Sequence, residues 1–495
     1  MRLRAGLFVL CASFFAVAKT AHADLPSTRG APITTSDYKL DLYQGPVLAS
    51  ARVTALAGAY TAIAEGAEGI PFNPAAASMR MPYSTTNVDY DLTGGLTFSS
   101  SFIGIDFDNN GDKLHERYPG IKLPNPFPDI VFINGGGLIQ YGHAAIGIVA
   151  SAQFYTFDQS PFLRLAQPPD ATGKAVADKG TDTVDGYLIK AEPVVSYGFL
   201  DDQLHVGMGL RIANFSLAGN LSDVDVACAN VPPNSLPCRA SLAGNGTNTQ
   251  LFSTTAVGFE SGALWAPYAL PLRVGATVRS PSFAGQPKYG GGFTPDAQAG
   301  GLHFPKEVGL PWELEGGVAV QLWKRPLNIQ WEDEDKVPDA EAERWRRSKR
   351  GGQIEPSYKG ARRMLKQRYQ EIPREKVLLT TSILLSGPVD NAVSVNSMLS
   401  GLIERSGEST SIGVRGGVEA EVIPYWLVLR GGSYLEPSRF SFSSPRLHGT
   451  AGVQVRLFRW DVFGALDDAP IWRISTVVDV ARDYFSWGAG VGMFM

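Results

Sequence analysis

The stretch that begins at Asp106 has the oxygen-rich spacing of a calcium-binding loop. Its candidate ligands are Asp106, Asp108, Asn110 and Asp112. Gly111 stands at the sixth position, where such a loop turns sharply, but the twelfth position is Arg117 instead of a bidentate acid. We therefore do not expect an EF-hand. Two alternatives stay open: a looser structural calcium site, or an Asx-rich turn at the end of a strand.

The other residues that could do chemistry do not form a known catalytic site. The six histidines lie apart, and the chain has no G-x-S-x-G motif and no phosphate-binding loop. Gly488, Gly490 and Gly492 share part of a dinucleotide-binding motif, but no helix is predicted after them. We predict that the protein is not an enzyme and needs no cofactor beyond the candidate calcium. A net charge of -4 argues against nucleic acid as a partner.

The first residues have the features of an export signal. Arg2 and Arg4 precede an apolar run, and Ala21-His22-Ala23 provides a small-x-small cleavage site before Asp24. We expect a signal peptide over residues 1–23. After it, no apolar run reaches the roughly 18 to 20 residues of a membrane helix. If the mature protein sits in a membrane, it does so through strands.

Two cysteines follow this leader, Cys228 and Cys238, with three prolines between them. In an exported protein such a pair most simply forms a disulfide that closes a short loop and stabilises it by about 2 to 3 kcal/mol. A metal site is the weaker alternative, because no histidine lies nearby.

Strand periodicity dominates the rest of the chain. Over residues 204–212 one face is apolar throughout, whereas the other carries His205, Gly207, Gly209 and Arg211. The same division recurs over 312–322, 412–422 and 447–457. Arginine and glutamate on the second face fit a polar lumen better than a packed sandwich. We therefore predict an all-β fold, a transmembrane antiparallel β-barrel of about 14 strands. Sixteen is the alternative, and 377–385 and 392–399 are its weakest strands.

The charged residues of the inward face have two interpretations. They are Arg211, Arg273, Arg279, Arg415, Arg430, Arg456, Arg473, Glu192, Glu313, Glu315, Glu419, Glu421 and Asp479. They could select solutes, or they could pair with one another across the lumen and with a segment inside it. Pairing is the interpretation we favour.

The last twelve residues, 484–495, form the predicted closing strand. A barrel in lipid leaves no open sheet edge, so this strand should pair with the first barrel strand, within residues 84–107. Counting back from it places the short turns at the periplasmic end, near 140–143, 201–203, 323–326 and 424–425. The long loops then fall on the extracellular side, at about 158–185, 218–250, 281–303 and 332–376.

Residues 24–82 lack this alternating pattern of strands and turns and are rich in alanine and glycine. We predict that they form a plug inside a barrel of residues 83–495. Their sequence from Ala51-Arg52 through Gly58-Ala59-Tyr60 to Asn73-Pro74-Ala75 resembles the hatch and the Asn-Pro-Ala motif of FadL-like outer-membrane transporters, which carry long-chain fatty acids and other hydrophobic compounds. Residues 193–209 and 272–281 are also similar to that family.

The sequence departs from the family at three places. Glu65-Gly66 stands where two acidic residues are usual, Ala76 replaces a glycine, and the chain ends in Met495 instead of phenylalanine. The resemblance implies a 14-stranded barrel with an N-terminal hatch, an apolar extracellular pocket and a gap in the wall. It also implies a set of hatch or ligand-path residues: Gly58, Tyr60, Asn73, Pro74 and Ala75.

From this resemblance we expect a monomer in the cell outer membrane that transports hydrophobic molecules, with fatty acids as the default. The expected partners are membrane lipid, lipopolysaccharide, a hydrophobic ligand and the barrel assembly machinery. Two alternatives stay open: a barrel that serves as a scaffold in a secretion or surface-assembly complex, and a diffusion porin.

Overall fold

The computed structural model describes most of the chain after the predicted leader. The described residues are 29–80, 87–99, 106–111, 121–122, 130–159, 182–220, 249–284, 287–289, 298–299, 302–331, 365, 367, 372, 376–400, 402–424, 426–459 and 471–494. Cys228, Cys238 and Asp112 lie outside them, as does most of the predicted loop 332–376.

Fourteen long strands of the described residues form one antiparallel sheet that closes on itself. They are β1 (Val88–Ser99), β2 (Ile130–Tyr141), β3 (Ala144–Gln159), β4 (Asp182–Phe199), β5 (Leu204–Asn220), β6 (Thr249–Trp265), β7 (Leu272–Arg279), β8 (Glu313–Leu322), β9 (Val377–Ser386), β10 (Ser411–Ile423), β11 (Leu427–Glu436), β12 (Arg446–Arg459), β13 (Ile471–Ala481) and β14 (Tyr484–Phe494). Each pairs with the next, and β14 also pairs with β1, from Asp91 opposite Phe494 to Ser99 opposite Ser486. The predicted closure is confirmed.

In the described part of the chain the wall of the barrel has fourteen strands, so the alternative of sixteen wall strands is wrong. The segment 377–385 does form a wall strand, β9. By contrast, 392–399 contains a two-residue strand, Ala392–Val393, followed by the short helix Val395–Ser400. These two elements lie beside the N-terminal segment, against Lys39–Asp41, and not in the wall.

The two faces of the wall differ as the alternation predicted. On β5 and β6 the side chains of Met208 and Phe259 are exposed on the outside, whereas those of His205 and Arg211 are buried within. An apolar outer surface around a polar interior is the arrangement of a β-barrel in lipid.

The two ends of the barrel carry different connections. At one, which we name the turn end, tight turns at 142–143 and 200–203 join neighbouring strands. At the other, the loop end, the connections include 100–129, 160–181 and 221–248. Consecutive antiparallel strands alternate in direction, so the connection from β8 to β9, residues 323–376, belongs to the turn end.

The prediction that 332–376 is an extracellular loop is therefore wrong, as is the prediction of a complete tight turn at 323–326. Residues 327–331 form no strand of the wall. The chain therefore does not cross back to the loop end after residue 326, and both ends of the β8–β9 connection lie at the turn end.

Residues 29–80, which we name the N-terminal segment, run through the lumen from the loop end to the turn end. Near its start, Lys39–Asp41 pairs in parallel with Glu307–Leu310, which belongs to a connection at the loop end. The helix Ala51–Ala55 packs against β12 and β13. At its end, Arg80 Nε donates to the carbonyl of Gly142, in a tight turn of the turn end, across 3.0 Å.

The ladder between β4 and β5 is interrupted once in the lower half of the barrel. The two strands pair on both sides of Glu192 and Pro193, but these two residues have no register partner on β5. Proline has no N–H to donate, which accounts for the missing rung. On its other side β4 pairs with β3 without a break, including at Pro193.

The remaining short elements lie mostly at the loop end. They are the strands Ile121–Lys122, Ser282–Ala284, Lys288–Tyr289, Gln298–Ala299 and Leu302–His303, and, within the N-terminal segment, the 3-10 turns Ala67–Gly69 and Pro74–Ser78. No helix in the described part of the chain is long and apolar enough to cross a membrane.

Candidate functional site

A buried ion network fastens the N-terminal segment to the wall. Arg52 Nη1 lies 2.9 Å from Glu65 Oε1 within the segment, and Arg52 Nε donates to Glu419 Oε2 on β10 across 3.1 Å. Burial raises the pKa of Glu65, but the charges of Arg52, Arg273 and Lys376 outweigh that effect and lower it to about 2. A buried ion pair that loses one partner leaves an uncompensated charge, so this network resists separation.

Further wall residues extend the network around the segment. Lys376 Nζ and Arg430 Nε both bind Glu419, across 2.6 and 2.7 Å. Arg473 Nη2 lies 3.1 Å from Glu68 of the segment. The favoured interpretation of the inward charges, that they pair with one another and with a segment in the lumen, is confirmed for these residues.

The motif Asn73-Pro74-Ala75 docks on β5 and β6. Asn73 Nδ2 donates to the carbonyls of Thr61 and Ala263, across 3.1 and 3.0 Å. Asn73 Oδ1 accepts from Ala75 N across 3.0 Å, which starts the 3-10 turn. The motif thus makes a turn and also attaches the segment to the wall.

Wall glycines make this docking possible. A Cβ atom at Gly262 would lie 2.1 Å from Asn73 Oδ1, and one at Gly207 would lie 2.4 Å from the carbonyl carbon of Pro74. Real carbon atoms do not approach so closely. Gly207 and Gly262 are therefore places where the segment touches the wall, whereas a Cβ at Gly209 would meet Val194 and Pro193 of β4.

Gly58 and Tyr60 lie inside the segment and line neither of the cavities described below. Gly58 has φ +71°, a left-handed conformation that suits glycine. The ring of Tyr60 is fully buried against the edge of Phe72, with centroids 6.2 Å apart. Its hydroxyl has no hydrogen-bond partner among the described residues. These two residues shape the segment.

A small apolar pocket of about 40 Å³ lies below the loop end. Its apolar lining consists of Leu42, Phe107, Ile130, Leu188, Phe215, Val395, Pro437 and Phe440. Asp41, Asp108 and Arg439 form its polar edge. We name it the upper pocket.

A larger cavity of about 170 Å³, the lower cavity, lies deeper in the lumen. Its charged lining consists of Glu68, Lys190, Glu192, Arg211, Arg279, Glu313, Glu315 and Arg415. Several of these are paired: Arg279 Nη1 donates to Glu313 Oε2 across 3.3 Å, and Arg415 Nη1 donates to Glu315 Oε1 across 3.3 Å.

Two cations of the lower cavity are weakly paired. Among the described residues, the ammonium of Lys190 has one hydrogen-bond partner, Gln44 Oε1 at 3.5 Å. Arg211 Nη2 lies 3.6 Å from Glu313 Oε2, while Arg211 Nη1 is buried with no hydrogen-bond partner there. These two cations therefore keep hydrogen-bonding capacity within the cavity, which Glu192 also lines.

Residues Leu42, Tyr43 and Gln44 separate the upper pocket from the lower cavity, since they line both. The side-chain amides of Gln44 and Gln153 on β3 bind each other reciprocally; Gln153 Nε2 donates to Gln44 Oε1 across 2.6 Å. Burial raises the pKa of Tyr43 to about 12, so its phenol stays neutral. Sequence reasoning missed this partition, because the two glutamines are far apart in the chain and neither belongs to a motif.

The candidate calcium ligands are only partly described. Both carboxylate oxygens of Asp106 accept backbone N–H groups, from Asn110 across 3.0 Å and from Gly111 across 2.9 Å. Burial raises the pKa of Asp106 to about 6; burial and the charge of Asp106 raise that of Asp108 to about 7. No group of three or more histidine, cysteine, aspartate or glutamate side chains in the described residues is placed to hold a metal. Because Asp112 lies outside them, calcium stays a prediction.

The fold and the site define a class: an antiparallel transmembrane β-barrel whose lumen is occupied by its own N-terminal segment, with a small, mostly apolar pocket and a larger cavity of mixed apolar and charged lining along that segment. Comparisons with protein-family models and with curated proteins give no match.

Solved structures do match. The chain is 10% identical to the CymD monoaromatic hydrocarbon channel, with a TM-score of 0.46 over 91% of this chain and 98% of that one. A Pseudomonas aeruginosa FadL homologue is 13% identical, with a TM-score of 0.46 over 91% and 99%. The Pseudomonas putida toluene transporter TodX is 12% identical, with a TM-score of 0.44 over 93% and 99%. The FadL homologue shares its name with the family that the N-terminal segment resembles.

Proposed function

We propose that the protein is a monomeric outer-membrane transporter of hydrophobic molecules that carry an acidic head group, with long-chain fatty acids as the default substrate. The observation that carries this proposal is the partition by residues 42–44, which places an apolar pocket next to a cavity with weakly paired cations. An amphiphile with a carboxylate needs these two environments side by side.

The upper pocket is the place of capture in this proposal. Its aromatic and aliphatic lining takes an acyl chain out of water, and it lies at the loop end, which faces the cell exterior. Both cavities are smaller than the roughly 300 Å³ at which ligand pockets begin. Binding of a long chain therefore requires residues 42–44 to move, so that the two spaces join.

Lys190 and Arg211 are the residues we assign to the head group. Among the described residues Lys190 has one long hydrogen bond and Arg211 Nη1 has no hydrogen-bond partner, so neither must break a strong ion pair to bind a carboxylate. An arginine or lysine bond to a carboxylate is among the stronger hydrogen bonds in proteins. The N-terminal segment below these residues then acts as the hatch.

The interrupted ladder at Pro193 is the candidate for the lateral gap that the resemblance implies. A missing rung makes this part of the wall easier to open than a continuous ladder. An acyl chain that leaves sideways enters lipid and avoids the charged lumen.

Uptake of two labelled probes tests the proposal. Cells that lack the protein are complemented with wild type, with Lys190→Gln or with Lys306→Gln, and are offered a long-chain fatty acid or its uncharged methyl ester. Lys306 is the matched control, because it is a half-exposed lysine at the loop end that pairs with Asp37. We expect Lys190→Gln to reduce uptake of the fatty acid about tenfold, because a charged hydrogen bond is lost, and to leave uptake of the ester unchanged.

Uptake of the fatty acid that does not depend on the protein would contradict transport. An equal effect of Lys190→Gln on both probes would contradict only the head-group assignment.

A scaffold role in a surface-assembly complex is the second candidate, and the filled, ion-paired lumen favours it. A stoichiometric partner that co-purifies with the wild-type barrel from membranes, together with absent uptake, would establish that alternative. A diffusion porin is the third candidate, and steady conductance of the purified protein in planar bilayers would support it.

A further inference from the structure

Residues 324–331, at the beginning of the β8–β9 connection, lie across the N-terminal segment at the turn end of the barrel. We name these residues the strap. Arg325 Nη1 binds Glu421 Oε2 on β10 across 2.9 Å, and the carbonyl of Arg325 accepts from Gln321 Nε2 across 2.7 Å. The strap is thus fixed where it leaves β8.

Asn328 holds the middle of the strap to the neighbouring β6–β7 turn. Its Nδ2 donates to the carbonyls of Pro267, Leu270 and Leu272, across 2.6, 3.0 and 2.9 Å. Its Oδ1 accepts from Arg273 Nε across 2.8 Å. Three carbonyls thus share the two N–H groups of one buried amide, and its oxygen accepts a further bond, so Asn328 attaches the strap to the β6–β7 turn and the start of β7.

The strap also contacts the N-terminal segment directly. Leu327 belongs to the buried apolar cluster that contains Tyr60 and Phe72. At the end of the strap, the guanidinium of Arg80 lies over the Trp331 ring, 4.1 Å from its centroid. Arg80 lies at the turn end, where its Nε binds the Gly142 carbonyl, so Trp331 covers the segment at that end.

Arg273 joins the strap to the ion network. It binds Asn328 Oδ1 and the Leu327 carbonyl in the strap, and its Nη1 lies 3.4 Å from Glu65 Oε2 in the segment. At the other end of the same connection, Lys376 binds Glu419 of the network. Both ends of the β8–β9 connection thus meet the contacts that hold the segment.

We propose that the strap is a lock on the periplasmic side of the barrel: it holds residues 62–80 of the N-terminal segment in place, and it must detach before that part can move. The biological role of this lock rests on the proposed function, since a hatch needs controlled release. The claim that the strap limits local opening of the segment does not depend on any ligand.

Hydrogen exchange of the purified full-length protein in detergent, without ligand, tests the lock. The variants are Trp331→Ala and Asn328→Ala. The matched control is Trp323→Ala, a tryptophan of the same connection whose side chain is exposed and which lies outside the strap. We expect amides within 62–80 to exchange about tenfold faster in the two strap variants, and at the wild-type rate in the control.

Heat-modifiable migration on gels shows which variants form a folded barrel, and two independent strap variants cover the case in which one does not. Unchanged exchange within 62–80 in a folded strap variant would overturn the lock. Equal acceleration in Trp323→Ala would overturn it too, because the effect would then not be specific to the strap. Fatty-acid uptake is measured separately, so a failure of the transport proposal leaves this result interpretable.

Discussion

Arg52 of the N-terminal segment donates to Glu419 of β10 across 3.1 Å, and both side chains are buried. Glu419 also binds Lys376 and Arg430, so one wall carboxylate collects three cations from three parts of the chain. The position of the segment therefore depends on an ion network in which Arg52, Glu419 and Arg430 are buried.

Replacement of Arg52 by methionine should release the segment while the barrel stays closed. The change leaves Glu65, Glu68 and Glu419 with fewer cations, and breaking a buried pair costs about 3 to 5 kcal/mol. The wall ladders do not involve this side chain. We expect faster hydrogen exchange over residues 51–70, with heat-modifiable migration unchanged. Arg405→Met is the control, because the Arg405–Glu408 pair at 3.9 Å is partly exposed and such pairs contribute about 0 to 1 kcal/mol. Loss of the folded barrel in Arg52→Met, or no change in exchange, would contradict the expectation.

The attachment of the segment should weaken only in strong acid. The pKa of Glu65 is lowered to about 2 in the folded protein from its ordinary value of 4.5. A carboxyl group with a lowered pKa stabilises above its unfolded-state value, and this contribution disappears as pH falls through the folded-state value. We therefore expect exchange over residues 60–70, corrected for intrinsic rates, to be constant from pH 8 to 5 and to rise from about pH 4.5 toward 2. Glu65→Gln should remove most of this rise. A rise already between pH 7 and 5 would show that another group controls the attachment.

Contact between wall glycines and the segment predicts a steric effect. In Gly262→Ala the new methyl group would lie 2.1 Å from Asn73 Oδ1, and overpacking of this kind costs about 1 to 3 kcal/mol. We expect faster exchange over residues 73–78. Gly316→Ala is the matched control on β8, because a Cβ there meets no atom within 4 Å. Equal exchange in the two variants would mean that Asn73 and Pro74 shift without loss of attachment.

Alternation along single strands was sufficient to predict much of the barrel. The inward side chains His205 and Arg211 of β5, and Ser486 of β14, lie where the period of two placed them. Alternation alone is not sufficient at the strap, where Leu327, Ile329 and Trp331 alternate as in a strand but form none. What decides against a strand there is Asn328, whose side chain binds carbonyls of a turn that is remote in sequence.

Parts of the site could be predicted and others could not. The resemblance led to Asn73, Pro74 and Ala75, and the structure places them in contact with the wall. The reciprocal amide pair of Gln44 and Gln153 carries no local signal, because its two members come from different elements and only the closed barrel brings them together. The sequence gives one indication of the role of Arg52. It is the only charged residue between Asp41 and Glu65, in a stretch that is otherwise rich in alanine and glycine.

Deletion of residues 484–495 should abolish the folded barrel. β14 pairs with β13 along its whole length and with β1 from Asp91 to Ser99, so its loss exposes two sheet edges at once. Unpaired backbone groups in the hydrocarbon region cost several kcal/mol each, and no other described strand lies beside β1 on that side. We expect no heat-modifiable band for the truncated chain. Met495→Phe is the control, because it follows Phe494, the last residue of β14, and leaves both ladders intact. A heat-modifiable truncated protein would mean that β13 and β1 can pair directly to close a smaller barrel.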